Sequence, residues 1–274
     1  MENPQITVIT ICYNAVDEIE KTILSVINQT YKKREYIVVD GGSKDGTIDL
    51  IKKYGNWIDC WVSEPDRGIY DAMNKGLKLA KGEWVNFMNA GDSFADEHVF
   101  ENLQKFFIPE NDVVYGDVVV EKLGIKYLQK AQPKELQKEN SPRMGFVHQA
   151  CFVKTSFAKM YPFDLKYKLA ADFNMVMTIY RNGGKFVYAA IPVANYDLSG
   201  VSTSNRRLHR YECLMIKRPE SKWKNTVEAY LHFFNSQIRT FAKKVLITMS
   251  PQLMVARNDH RQNHSRYEEH DTRK

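Results

Sequence analysis

The chain is short of cysteine, of long apolar runs and of the glycine-rich signatures of common nucleotide sites, and each shortage removes a class of function. Its four cysteines, Cys12, Cys60, Cys151 and Cys213, form no Cys-x-x-Cys pair. They read as reduced, mostly buried thiols, which suits a cytoplasmic setting. No stretch reaches the roughly 18 apolar residues that a membrane span needs. Strand-like residues begin by Ile6, so no leader segment is expected. There is no internal repeat. Neither G-x-G-x-x-G nor G-x-x-x-x-G-K-[ST] occurs, which removes the dinucleotide fingerprint and the P-loop. The net charge is only +6, with a pI near 8.9. Much of the excess follows residue 205, and no dense basic stripe marks a nucleic-acid partner.

What remains is a soluble α/β pattern. With 43% hydrophobic and 26% charged residues over 274 positions, a sizeable core is expected. Ile6 to Cys12 is a continuous β-branched run, as in a central parallel strand. Asn14 reads as an N-cap, and Val16, Ile19, Ile23, Val26 and Ile27 follow at helical spacing. Tyr36 to Asp40 is a second buried strand, Ile48 to Tyr54 a helix, and Ile58 to Ser63 a third strand. Ile69, Met73, Leu77 and Ala80 predict a helix over 70–81. Gly82 to Phe87 predicts a fourth buried strand. Such alternation forces a parallel sheet with right-handed crossovers. A helix is expected over 96–107, then strands over 112–120, 124–129 and 146–154. A helix over 170–181 and strands over 185–189 and 192–196 complete a mixed, partly antiparallel second half.

The fourth strand stops in Asn89-Ala90-Gly91-Asp92-Ser93. Ligands of open α/β sheets lie past the carboxyl ends of strands. Asp92 therefore stands where a divalent cation carrying phosphate oxygens would sit, or it caps the next turn through its side chain. Asp40 ends the second strand in Gly41-Gly42-Ser43-Lys44-Asp45-Gly46-Thr47, where its carboxylate can meet a nucleoside and Asp45 can cap the following helix. Arg67 can clamp phosphate or pair with Glu64 or Asp66. Asp71 and Asn74 can cap or pack. Asp172 opens an amphipathic helix among small residues, where desolvation would raise its pKa; favourable interaction with the helix dipole is the other reading.

Thr7 to Asn14, Val38 to Thr47 and Ser63 to Gly76 together resemble the family-2 glycosyltransferases, most closely the bacterial branch that builds surface polysaccharide. Asn89 to Asp92, His148-Gln149 and Ala171-Asp172-Phe173 continue the resemblance, which covers roughly residues 5 to 205. It implies a glycosyltransferase-A fold: a mostly parallel nucleotide-binding sheet running into a mixed acceptor-binding half. It implies a transferase of hexosyl type that uses a UDP- or GDP-sugar, a Mg²⁺ or Mn²⁺ ion, and inversion at the anomeric carbon. Asp40, Tyr13, Asn14, Arg67, Asn74 and Asn89 would then serve the donor, and Asp92 the metal. Asp172 would be the base, with His148 and Gln149 on the acceptor side. Asn89 and Gly91 stand where the family often has further acidic residues, so weaker metal binding is expected. A non-catalytic nucleotide-sugar-binding subunit is the alternative, and a nucleotidyltransferase lacks its usual N-terminal glycine-rich, basic loop here.

The catalytic domain is expected over 1–210, a helical segment over 211–255 and a disordered tail over 256–274. Ser199 to Arg210 reads as a mobile loop. Val227, Leu231, Phe234, Ile238, Phe241 and Val245 form one apolar stripe on a helix over 223–247, flanked by lysines and arginines. It can pack on the core, pair with a partner helix, or lie on an anionic membrane over residues 222–247. The last suits a lipid-linked acceptor and a peripheral position at the inner face of the plasma membrane.

Overall fold

A computed structural model describes residues 5–122, 125–138, 141–196 and 205–249, with side chains described except at 122 and 239–249. The expected loop at 199–202 and the tail beyond 256 lie outside these residues.

Strands β1 (Ile6–Cys12), β2 (Arg34–Asp40), β3 (Cys60–Ser63) and β4 (Trp84–Phe87) run parallel in the order β3-β2-β1-β4. Their register places Cys12 beside Asp40 and Asp40 beside Ser63. Three carboxyl ends are therefore level, and the turns that follow them share one edge. β8 (Cys151–Lys154) joins β4 antiparallel. β6 (Val113–Lys122) pairs antiparallel with β8 and parallel with β9 (Phe186–Tyr196). β5 (Ser93–Phe94) closes the far edge on β9, and β7 (Ile125–Gln129) pairs with β6. Among the described residues this is one nine-stranded mixed sheet.

The alternation along β1 and β2 explains why both faces are covered. Ile9, Ile11, Ile37 and Val39 belong to one apolar layer, with α3 (Ile69–Leu79) and α6 (Ala171–Arg181). Val8, Cys12, Tyr36 and Val38 belong to the other, with α1 (Ile19–Ile27) and α4 (Val99–Leu103). In α1, Ile19, Ile23 and Val26 are fully buried on one stripe, contributing roughly 1.5–3 kcal/mol each. α2 (Thr47–Lys53) follows β2.

Several boundaries differ from expectation. The first helix begins at Ile19 and not just after Asn14. Asn14 has a left-handed φ of 47° and accepts the Lys44 amide, so it ties two turns together and caps no helix. Gly46 holds the N-cap position of α2. Asp45 reaches past it to accept from the Thr47 amide and hydroxyl and from the Val16 amide. His148–Ala150 is a 3₁₀ turn, so the strand expected from Phe146 starts only at Cys151. The two strands expected near 185–196 are one, β9. One helix went unforeseen, α5 (Thr155–Met160). α7 (Arg206–Lys217) begins inside the stretch read as a loop, and its second half falls in the helical segment expected over 211–255.

The chain divides into two compact units, Met1–Lys222 and Trp223–Lys274. The second contains nearly all of α8 (Lys222–Met249). On α8, Trp223, Tyr230, Leu231, Phe234 and Ile238 are exposed. No described helix is long and apolar enough to cross a membrane.

Candidate active site

The turn after β2 is built on Asp40, which is fully buried. Its carboxylate accepts from the Gly42 and Ser43 amides at 3.0 and 2.9 Å and from the Ser63 hydroxyl at 2.6 Å. It also accepts from the Ser43 hydroxyl and, at 3.6 Å, the Cys12 thiol. Burial alone would raise its pKa, but these donors hold it below the usual carboxylate range. The Asp40 carboxylate thus shapes the turn at the edge where a nucleoside was expected. The half-buried carboxylate at this edge is Asp66. One of its oxygens lies 2.6 Å, and the Tyr13 ring 3.2 Å, from where a Cβ on Gly41 would stand. A Cβ at 41 would push the Asp66 carboxylate aside. Asp66 went unremarked as a site residue, although it lies three residues past the carboxyl end of β3, on the edge that made Asp40 conspicuous. Tyr13 is 65% exposed beside it.

Arg67 pairs with Asp71 at 3.1 Å, and with neither Glu64 nor Asp66. The Asn74 side chain is engaged within the fold. Its amide group clasps the Phe163 backbone, donating to the carbonyl at 2.8 Å and accepting from the N–H at 3.0 Å.

Asp172 lies in the first turn of α6 and is the centre of a second cluster. One carboxylate oxygen accepts from the Tyr70 hydroxyl at 3.0 Å and the Phe173 amide at 2.8 Å. The other lies 3.0 Å from His148 Nδ1. Asn89 Nδ2 reaches His148 Nε2 at 3.2 Å. With Asn89 donating there, the ring proton sits on Nδ1 and points at Asp172. Desolvation pushes Asp172 up, but the bond and charge of His148, the Phe173 amide and the nearby His209 together bring it below the usual range. This reverses the expected upward shift. Burial and the adjacent carboxylate raise Tyr70, so it stays a donor.

Asp92 is 6% exposed and accepts from Gln149 Nε2 at 2.6 Å, while its backbone carbonyl accepts from the Thr22 hydroxyl. His148 and Gln149 were expected as an acceptor-side wall. They line the cavity and also bond to the expected base and the expected metal residue. Asn89, Asp92, His148, Gln149, Asp172 and His209 share the wall of one cavity of about 1100 Å³. Tyr13, Asn14, Asp40, Arg67 and Asn74 do not line it.

α7 completes this wall, and its first half was missed because it reads as a basic loop. It is fastened from within. Glu212 accepts the Lys168 and Leu169 amides at 2.8 Å each, just before Asp172. The buried Lys217 ammonium donates to the Leu136 carbonyl at 2.7 Å.

The family resemblance implies a divalent cation. Among the described residues no three His, Cys, Asp or Glu side chains gather to hold one. Yet Asn89 Oδ1 and Gln149 Oε1 are buried acceptors with no hydrogen-bond partner, on the residues that flank Asp92. An oxygen-rich corner with one carboxylate suits a hard ion that keeps waters and substrate phosphate oxygens in its shell.

The family model described as glycosyl transferase family 2 matches residues 7–169. An uncharacterized glycosyltransferase of Mycobacterium tuberculosis is 32% identical over 178 residues, covering 64% of this chain and 68% of the relative. A PGL/p-HBAD biosynthesis glycosyltransferase of Mycobacterium bovis is 28% identical, covering 73% and 79%. S. aureus TarS in complex with UDP-GlcNAc superposes with a TM-score of 0.63 at 17% identity, over 84% of this chain and 73% of that one. The mannosyltransferase PcManGT from Pyrobaculum calidifontis, in complex with GDP-Man and Mn²⁺, gives 0.62 at 21% identity, over 92% and 76%. These solved structures share the curled α/β sheet, which is the glycosyltransferase-A fold. With more than half of its length matched, this chain belongs to glycosyl transferase family 2 and is a glycosyltransferase.

Proposed function

We propose that the enzyme transfers a sugar, with inversion, from a nucleoside-diphosphate donor to a hydroxyl of a growing, lipid-linked saccharide in cell-surface polysaccharide synthesis. The observation that carries this reading is Asp172, held by His148 and Tyr70 at the wall of the cavity that also receives Asp92. The acceptor oxygen attacks the anomeric carbon, the bond to the diphosphate breaks on the opposite side, and the acceptor proton passes to Asp172. A lowered pKa keeps Asp172 ionised and ready at neutral pH, at the cost of a weaker base. The three donors that orient it make positioning its main asset.

Asp92, with Asn89 and Gln149 beside it, would hold the divalent ion. Bound there, the ion offsets charge gathering on the leaving diphosphate. The donor nucleoside would lie along the level ends of β1 to β3, between Tyr13, Asn14 and the turn that Asp40 shapes, with Asp66 across from them. The UDP-GlcNAc and GDP-Man complexes of the two structural neighbours support a UDP- or GDP-sugar. The exposed aromatic and aliphatic residues of α8, with Lys222 and Lys224 alongside, support a peripheral membrane position on the cytoplasmic side. Retention by anionic but not by neutral vesicles would bear that out.

The deciding experiment is a thermal-shift panel of UDP- and GDP-sugars with and without Mn²⁺. A donor that binds the folded enzyme raises its melting point. The expected result is a rise that needs both sugar nucleotide and metal. No rise with any donor would remove the reading.

A further inference from the structure

The family's run of acidic residues is thinned here to Asn89-Ala90-Gly91-Asp92, and the chain has a physical reason for the glycine. Gly91 has φ +95°, a left-handed conformation that an aspartate would occupy only under strain. Lys21 Nζ donates to the Gly91 carbonyl at 2.9 Å, and the Gly91 amide donates to Thr22 Oγ1 at 3.1 Å. The first turns of α1 thus hold this turn in its unusual shape. The same packing brings a different carboxylate to the vacant position. Glu18 Oε2 lies 3.0 Å, and its Cδ 3.5 Å, from where a Cβ on residue 91 would stand. The Glu18 side chain therefore fills the space that a side chain at 91 would enter. Glu18, Gly91 and Asp92 line the same cavity.

We infer that Glu18 is the second protein carboxylate of the divalent-cation site, supplied from the N-cap of α1 in place of the absent acidic residue at 91. This rests on the proposed function above. An independent feature points to a cation at this corner. Gln149, only 3% exposed, gives its Nε2 hydrogens to Asp92 while its Oε1 stays buried without a donor, and Asn89 Oδ1 is likewise unpartnered. Buried amide oxygens without donors are uncommon and call for an ion or a water. Two carboxylates and two such oxygens, completed by diphosphate oxygens and water, meet the needs of Mg²⁺ or Mn²⁺. The charge count then matches that of a two-carboxylate motif, so the weak binding expected from the sequence no longer follows. Glu18 is exposed, which lets it adjust as donor and metal arrive together.

The test is Mn²⁺ binding by the full chain, followed by electron paramagnetic resonance of free Mn²⁺, with UDP or GDP present and absent. Glu18→Gln should weaken Mn²⁺ in the nucleotide-bound protein on the order of tenfold, and Asp92→Asn at least as much. Glu18→Asp should fall between wild type and Glu18→Gln. Glu20→Gln is the control: its carboxylate bonds Lys53 and Tyr54 instead, and Mn²⁺ affinity should not move. Melting points should stay level for both position-18 variants. Loss in Asp92→Asn with wild-type affinity in Glu18→Gln would overturn the assignment and leave the proposed function standing. Nucleotide binding with no Mn²⁺ bound by the wild type would overturn this inference and the metal requirement together.

Discussion

Asp40, a buried carboxylate, and Asp172, a partly buried one, are both held below their ordinary pKa, yet their surroundings were assembled in opposite ways. Most donors to Asp40 come from the next few residues, with Ser63 and Cys12 added by the strands on either side. Besides the adjacent Phe173 amide, the donors to Asp172 are the side chains of Tyr70 and His148, which lie 102 and 24 positions away along the chain. The first is a turn closing on itself. The second is a meeting of α3, the 3₁₀ turn before β8 and α6. The comparison separates stability from chemistry. A carboxylate bonded mainly by its own turn gives that turn its shape. One held from two sides at a cavity wall is oriented and still reachable.

The largest expected effect sharpens that contrast. Asp172→Asn should lower kcat about 10³-fold, within the usual contribution of a general base, while donor affinity and melting temperature stay near wild type. Steady-state kinetics with a nucleotide-binding assay reads both. Normal turnover would remove Asp172 from the chemistry.

Asp40→Ala should do the reverse. It strands the Gly42 and Ser43 amides and the Ser63 hydroxyl, so roughly 3 kcal/mol of stability should go. For a chain of this size that is about 6–12 °C in melting temperature, with kcat per folded molecule little changed. The pH dependence has a definite sign. The folded pKa of Asp40 lies below its ordinary 3.8. Its stabilisation is therefore complete above the unfolded value and is lost as pH falls through the folded one. Asp40→Asn should flatten acid unfolding below about pH 4, measurable by circular dichroism.

His148→Ala comes next. It removes the interaction that most lowers Asp172 against its burial, so the acid limb of kcat/KM should move to higher pH. Activity near neutrality should fall about tenfold. A wall residue that touched only the acceptor would raise KM without moving that limb.

These contrasts also account for what the sequence disclosed. The parallel half was legible because β-branched runs and 3.6-residue spacing are local signals, and Ile6–Cys12 and Ile69–Leu79 carry both plainly. Asp92 and Asp172 were found by motif, and the cavity brings them together. Three things were hidden. The sign of the Asp172 shift depends on His148 and His209, whose approach is tertiary. Helix α7 was obscured because Arg206-Arg207-Leu208-His209-Arg210 has a basic, loop-like face, while the partners of Glu212 and Lys217 lie more than forty residues back. The place of Glu18 follows from the φ of Gly91, which no composition reveals.

Arg67 offers the smallest effect and the finest discrimination between the two regions. Its guanidinium is 78% exposed and already paired with Asp71 one helical turn away, a geometry that adds little stability in water. Arg67→Ala should therefore leave the melting temperature unchanged. Donor affinity should fall less than about threefold if the Asp71 pair persists with donor bound, since the phosphates then meet no free guanidinium. The loop from Asp66 to Gly68 sits between the Asp40 turn and Tyr70, so it borders both regions. A rise of about tenfold in donor KM, with Asp71→Asn leaving that KM unchanged, would mean the arginine leaves Asp71 for the diphosphate. The edge beyond β3 would then belong with the reactive cluster and not with the self-contained turn.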